Sequence, residues 1–508
     1  MTEGSGGWDK CQNTKKTKIL YLSKHKTHQT IMPADESYPD TTIHKIAFGS
    51  CHKNRGIHHP FVKEELQENL DSPESLDSNN NKNTPNNNNN IWKSILEQNP
   101  NVFVWTGDIV YTHKKSLAST TELKREYDEL LTNATIGYQS LLQQQHNNIS
   151  IIGTWDDHDY GGNDYGKEMP QQKERQDLLL DFLNVSSSSP RRQRKGVYSS
   201  VTYGTAPRMV KVIVLDTRSG RDKHCIPSVG AAPLPKGIGA LMACITRFLT
   251  AGLNLQYIIP TCRHAQVLDD EQWNWFQEEI QTSTAQLNII VSSIQVLTSN
   301  PFTESFGQFP LERERLLKMI RHSDKNVVLL SGDVHHGEIL GTPNEFIEVT
   351  SSGMTHSCVD PFYGFLCEKM LRTYSSHRYS FHSHGNGSDG QNFYLHQNFG
   401  TLTIDWDGNG DKNHENRGHK EAMPTLRVDI HDITGQVVLS TGTLPFSSFR
   451  SNISDQDIHQ LPNPVNGCLC PVFNVTCVAI LTIVFIRSRV FPFPFHGSNN
   501  MTKERLQT

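Results

Sequence analysis

The amino-acid sequence predicts an α/β protein whose sheets are parallel or mixed and covered on both faces. Three observations carry this. Short apolar, β-branched runs recur along the chain, helix-spaced stretches lie between them, and several runs stop abruptly at Asp, His, Cys or Tyr. The runs at 46–48, 102–105, 149–152, 210–215, 289–291, 327–330, 346–349, 402–404 and 426–430 are bounded by Gly, Asp and Ser, as buried strands are. The stretches 123–131, 173–182, 269–280 (with Trp273 and Phe276) and 311–320 repeat their apolar residues at helical spacing. Alternation of the two element types favours helices packed on both faces of a sheet.

The chain has 508 residues, enough for one large or two ordinary domains and for a sheltered site. A net charge of -5 argues against specific nucleic-acid binding, which normally needs a basic excess. The dense basic run from Arg191 to Lys195, behind Ser186 to Ser189, reads as a solvated loop rather than a docking patch. Residues 71–90 are Asn-rich and of low complexity, hence an expected disordered loop. Further insertions are expected at 186–196 and at 225–262, the latter apolar with Arg247 in its middle. An ordinary packed insertion is expected there ahead of a lid or a lipid-contacting element. The ten cysteines form no spaced zinc ladder. Pairs such as Cys225 with Cys262 or Cys358 with Cys367 could be disulfides in an oxidising compartment, though spacing does not fix the connectivity.

Residues 1–42 are polar and patternless and are expected to be poorly ordered, with no signal-peptide pattern. Near the other end, 468–486 is almost uncharged and is followed by Arg487-Ser488-Arg489. This segment is expected to span a bilayer as a single transmembrane helix after a linker at 446–467, with 487–508 as a short tail. The arginines favour a cytoplasmic C-terminus and so a lumenal or extracellular catalytic part. That conflicts with the missing signal pattern and leaves a tail anchor as the alternative.

Where the runs end is more informative. The first leads into Gly49-Ser50-Cys51-His52, the second into Gly107-Asp108-Ile109-Val110-Tyr111, and the third into Trp155-Asp156-Asp157-His158-Asp159. Two others end in Asp216-Thr217-Arg218 and in Ser331-Gly332-Asp333-Val334-His335. Ligands of open α/β sheets bind beyond the carboxyl ends of the strands. Taken singly each motif is bland, since Gly-Asp is often a turn and a lone cysteine a small packed hydrophobe. Together they would place several carboxylates at one rim, where charge must be neutralised. Cations resolve this, and oxygen ligands with imidazole suit Ca, Mn, Fe or Zn, while a thiolate and a phenolate beside them favour iron.

These segments, together with Gly161-Gly162-Asn163-Asp164, Glu304-Ser305-Phe306, Phe309-Pro310-Leu311-Glu312-Arg313, the 349–357 run and Gln397-Asn398-Phe399-Gly400, occur in an order that resembles the alkaline phosphatase D (PhoD-like) metallophosphatases. The resemblance covers roughly residues 43–445. It implies a calcineurin-like metallophosphoesterase sandwich, two mixed β-sheets flanked by helices, with metals at the strand ends. By the same resemblance Asp108 is the bridging metal ligand and Asp157 a ligand of the second metal. Asp333 and His335 form the last ligand pair, Cys51 and Tyr111 mark an iron site, and Asn163 lies near the second metal. His158 faces the leaving group, and Arg218 is typed to hold two phosphate oxygens through its guanidinium fork. His356 is expected to orient a ligand rather than to be one. The implied cofactors are Fe3+ with Ca2+, with Mn or Zn as alternatives. Thr112-His113 departs from the family pattern and leaves the contacts of that loop open.

The function implied is hydrolysis of a small phosphoester, monoester or diester, by hydroxide that metals acidify. Two other readings remain: an inactive, membrane-anchored binding ectodomain, and a phosphodiesterase directed at phospholipids.

Overall fold

In a computed structural model, the structure describes residues 37–38, 40–54, 91–112, 117–143, 149–226, 238–359, 364–374, 392–408 and 423–461. The Asn-rich stretch 71–90, the polar segment before residue 37 and the apolar segment 468–486 lie outside them. No helix among the described residues is long and apolar enough to cross a membrane.

Among the described residues, fourteen strands run in chain order as β1 (Ser37–Tyr38), β2 (Lys45–Gly49), β3 (Val102–Thr106), β4 (Ser150–Thr154), β5 (Ser199–Tyr203), β6 (Val210–Val214) and β7 (Leu287–Val291), then β8 (Val327–Ser331), β9 (Gly337–Gly341), β10 (Ile347–Ser351), β11 (Phe393–Tyr394), β12 (Asn398–Asp405), β13 (Thr425–Asp432) and β14 (Val437–Pro445). They form an eight-stranded sheet in the order β1-β5-β6-β7-β8-β10-β9-β11 and a six-stranded sheet in the order β14-β13-β12-β2-β3-β4. Both sheets are mixed. Strands β2, β3 and β4 are parallel, as are β6, β7, β8 and β10, and antiparallel strands extend both sheets.

Alternation along each strand builds the layers. Val102 and Val104 of β3, Val212 and Val214 of β6, and Leu287 and Ile289 of β7 point into one apolar core between the sheets. Their neighbours Phe103 and Trp105 point outward onto Trp92, Tyr127 and Leu179 of the helices covering the smaller sheet. Ile213 and Ile290 pack outward onto Trp273, Phe276, Leu316 and Ile320 of the helices Asp270–Gln281 and Pro310–Ser323. Strands buried on both faces read as continuous apolar runs, which is why they stand out in the sequence.

The stretch 446–467, expected to be a linker, is packed as far as it is described. Phe446 and Phe449 join the inter-sheet core, and Ile458 and Leu461 close the core beside the helix Pro310–Ser323. The Ser/Arg loop also departs from expectation. Arg191 is fully buried and donates to the Val197 carbonyl at 2.8 Å, while Gln176 donates to the carbonyls of Arg191 and Arg194. Both cysteine pairs weighed from the sequence are bridged, Cys225–Cys262 and Cys358–Cys367.

Gly400 of β12 faces the ring of Phe48 on β2, and a Cβ at Gly400 would overlap that ring. Gly400→Ala is therefore expected to destabilise the protein by about 1–3 kcal/mol, the usual cost of overpacking a tight core. Urea unfolding of the variant beside wild type checks this, and equal midpoints would refute it.

Candidate metal centre

The parallel strands of both sheets end at one seam, and the residues just past those ends meet there. Ser50-Cys51 follows β2, Gly107-Asp108 follows β3, Asp156-Asp157 follows β4 and Gly332-Asp333 follows β8. Several of these residues hold a left-handed backbone: Cys51 at φ 59°, Asp108 at φ 50°, Asp333 at φ 72° and His335 at φ 60°. Non-glycine residues rarely adopt that region, and such strain gathers at functional sites. Gly107, at φ 99°, makes room for the closest approach, since a Cβ there would lie 2.7 Å from Cβ of Asp156.

Donor atoms fall into three overlapping groups, each within 4.8 Å: Cys51, Asp108 and His335; Asp108, Asp157 and His158; and Asp108, Asp156, Asp157 and Asp333. Asp108 belongs to all three. Tyr111 joins the first, its hydroxyl donating to Asp108 Oδ2 at 2.5 Å and lying 3.3 Å from His335 Nε2. The Cys51 thiol is 3.6 Å from Asp108 Oδ2 and 3.1 Å from Ser352 Oγ. The backbone N–H of His158 donates to Asp108 Oδ1 at 3.2 Å. The His158 ring lies 4.2 Å from the Tyr111 ring, centroid to centroid, and its side chain is 34% exposed, so it faces the open side.

Electrostatics fit a cation cluster. Burial raises the carboxyls of Asp108, Asp156 and Asp333, and repulsion from neighbouring carboxylates adds to it. Burial likewise pushes the Cys51 thiol and the Tyr111 hydroxyl well up, with the Asp108 charge adding to both. His335 is lowered to about 3 by burial and by the nearby Lys53. Asp156 Oδ2, Asp157 Oδ1 and His356 Nε2 are buried without a hydrogen-bond partner. A thiol, a phenol, imidazoles and carboxylates with orphaned buried oxygens form a donor set that suits two or more metal ions.

A pH signature follows. A carboxyl raised in the folded state stabilises the fold only at low pH, and this stability is lost as pH rises through the raised value. Chelated protein is therefore expected to lose melting temperature as pH climbs above the ordinary carboxylate range, and the metal-loaded protein to lose less. Parallel melting curves with and without chelator over that range would refute it.

The structure brings Cys51, Asp108, Tyr111, Asp157, His158, Asp333 and His335 together. Asn163 lies half-buried in the turn beyond His158. The residue after it, Asp164, is buried and donates its N–H to Asp157 Oδ2 at 2.8 Å. Arg218 departs from its expected arrangement. It is fully buried, ion-paired to Asp156 and 2.8 Å from Glu304 Oε1, so carboxylates occupy its fork. Asp216, at another strand end, is structural, accepting from Trp155 Nε1 at 2.8 Å and from the N–H of Val197 at 2.9 Å.

Sequence reasoning missed several residues here. Asp159 is buried and accepts from the backbone N–H of Ile109 at 3.0 Å and of Asp156 at 2.6 Å, tying two strand ends together. Asp156 joins the carboxylate group, and its doubling in Trp155-Asp156-Asp157 was the available signal. Glu304 anchors Arg218 and Arg221 and lies 3.5 Å from His224. Asp164, His224 and Glu304 also place ligand-type atoms within 4.8 Å, but the guanidiniums of Arg221 and Arg247 fill that cluster with positive charge.

The chain matches the sequence profile of the PhoD-like phosphatases over residues 80–361, more than half its length. No curated protein sequence matches it. Among solved structures it is similar to PhoD, with 16% identity and a TM-score of 0.44, covering 86% of this chain and 78% of that one. It is also similar to a dimetal phosphatase from Danio rerio, with 13% identity and a TM-score of 0.39, covering 80% of this chain and 100% of that one.

Proposed function

The chain belongs to the PhoD-like phosphatase family, and on that premise we propose that it hydrolyses phosphoric esters, monoesters or diesters, at a cluster of metal ions. The observation that carries this reading is Asp108, whose carboxylate is common to three overlapping donor groups and so suits a bridging position. Cys51, Tyr111 and His335 would hold one ion, the set best typed for iron, and Asp157 and Asp333 would hold its neighbour, where calcium, manganese or zinc fits. When bound, such ions neutralise phosphate oxygens and acidify a water.

The chain's own residues divide the remaining work. His158, partly exposed beside the buried Asp157, is placed to give a proton to the leaving alkoxide. Tyr111 packs its ring, tilted by 34°, against the His158 ring and donates to Asp108, holding the two in register. Arg218 acts as a positioning residue, fixing Asp156 through a buried ion pair rather than gripping substrate. Asn163 stands one residue from Asp164 and is assigned to the surroundings of the second ion.

The test is metal content by mass spectrometry, together with turnover of p-nitrophenyl phosphate and of bis-p-nitrophenyl phosphate. Bound metal with turnover of either ester that stops on chelation supports the reading and shows which ester is preferred. A folded protein that takes up no metal and turns over neither ester would overturn it.

A further inference from the structure

The disulfide-closed insertion carries a cation into the site. Helix Ile238–Gly252 is apolar apart from a single charged side chain, Arg247. The Cys225–Cys262 disulfide joins the two ends of the insertion, which are 37 residues apart. Phe248 seats the helix by stacking on Phe302 at 4.4 Å with ring planes 8° apart. Arg247 then ion-pairs with Asp164, lies 3.3 Å from Glu304 Oε2, and reaches the Phe302 carbonyl only at 3.5 Å.

Three guanidiniums meet in this corner, and they are not equivalent. Arg218 and Arg221 are fully buried, whereas Arg247 keeps 12% of its side chain exposed. Nε of Arg247 is buried without a hydrogen-bond partner, as are Nη2 of Arg218 and Nε of Arg221, so its partial exposure is what sets Arg247 apart. A buried donor without a partner is costly and calls for an explanation. Its position supplies one. Asp164, the ion-pair partner of Arg247, donates its N–H to Asp157 Oδ2, so one residue links the guanidinium to the carboxylates at the seam.

We propose that Arg247 is a substrate-binding residue that takes a non-bridging phosphate oxygen of the ester, and of the phosphate product, through donors that Asp164 and Glu304 leave open. The proposal rests on the phosphoesterase reading. It gives the insertion a function, with the disulfide fixing the helix so that one arginine faces the phosphate. A guanidinium suits this because its planar array of donors can hold a carboxylate on one edge and a phosphate oxygen on another.

The experiment uses the full chain loaded with metal, p-nitrophenyl phosphate as substrate and inorganic phosphate as inhibitor. Arg247→Ala is expected to raise both KM and the inhibition constant for phosphate by about 10- to 100-fold, the loss expected for a hydrogen bond to a charged group. Metal content is expected to be unchanged and kcat to change far less than KM. Arg247→Lys keeps the charge but not the fork, and is expected to recover part of both losses. Unchanged KM and phosphate inhibition in Arg247→Lys and Arg247→Ala, with only a lower melting temperature, would overturn the proposal and leave Arg247 a structural ion pair. Should Arg247→Ala not fold, an Arg247→Lys protein with wild-type KM and phosphate inhibition overturns it equally. A wild type with neither metal nor turnover would sink the phosphoesterase reading itself, and this inference with it.

Discussion

Asp108→Asn is expected to lower phosphoester turnover by about 1000-fold or more and to reduce bound metal, while raising the melting temperature of the metal-free protein. Removing a single electrostatic stabiliser already costs roughly 100- to 1000-fold in turnover. Asp108 is common to every donor group at the seam, so its loss weakens more than one ion. Asparagine keeps the shape but offers one acceptor oxygen: facing the His158 N–H, it leaves its amide NH2 toward the Tyr111 hydroxyl, which then accepts rather than donates. The stability gain has a separate cause. Burial and the nearby Asp157 disfavour the charge on Asp108, although His158 and Tyr111 offset part of that, so without metal the fold carries this charge at a cost. Metal binding reverses the order. An ion at 100 times its Kd stabilises the native state by about 2.7 kcal/mol, a gain open only to the wild type. Melting curves of both proteins, chelated and metal-loaded, are therefore expected to cross. A variant that keeps full metal and turnover would remove Asp108 from the bridging role, and a chelated variant less stable than wild type would refute the electrostatic argument.

Much of this was legible in the sequence for a local reason. Strands β3, β6, β7 and β8 are covered on both faces, so β3 and β8 appear as apolar runs and β6 and β7 as runs broken only by Lys211 and Asn288. The metal-type residues sit within a few positions of those runs, as Asp108 follows β3 and Asp333 follows β8. Strands β5 and β9 were missed because their residues do not form such runs. Ser199–Tyr203 has half-buried positions alternating with buried ones, and Gly337–Gly341 is bounded by glycine at both ends. The helix Ile238–Gly252 lay inside an insertion that the sequence marked only as apolar.

The ion-pair corner was illegible for a different reason. Its partners lie far apart in the chain, Glu304 pairing with Arg218 at a separation of 86 residues, and no local pattern announces such a meeting. Residue type alone therefore did not foretell the partners of Arg218. A guanidinium beside a strand end suits phosphate, but Asp156 and Glu304 had already claimed it. The same blindness hid the partners of Arg247, a single charge in an apolar helix, because Asp164 and Glu304 lie outside the insertion.

Glu304→Gln is expected to cost about 3–5 kcal/mol of unfolding free energy, the loss seen when one partner of a buried ion pair is removed. Burial works against the Glu304 charge, but Arg218, Arg221 and His224 outweigh it and hold the carboxyl well below its ordinary range. Glutamine fills the same space and leaves three guanidiniums with too little negative charge. Arg218 still has Asp156 and Arg247 still has Asp164, whereas Arg221 keeps only the Asp164 carbonyl and His224. The pH dependence has a definite sign. A carboxyl lowered by folding adds stability above its unfolded value, near 4.3, and that stability is lost as pH falls through the lower folded value. The gap between wild type and Glu304→Gln is therefore expected to be widest at neutral pH and to narrow in acid. Urea unfolding of both proteins at neutral pH and at about pH 3, below the unfolded value, measures it. Equal stability at neutral pH would mean that the three guanidiniums are neutralised elsewhere, and a gap that widens in acid would reverse the assigned charge of Glu304.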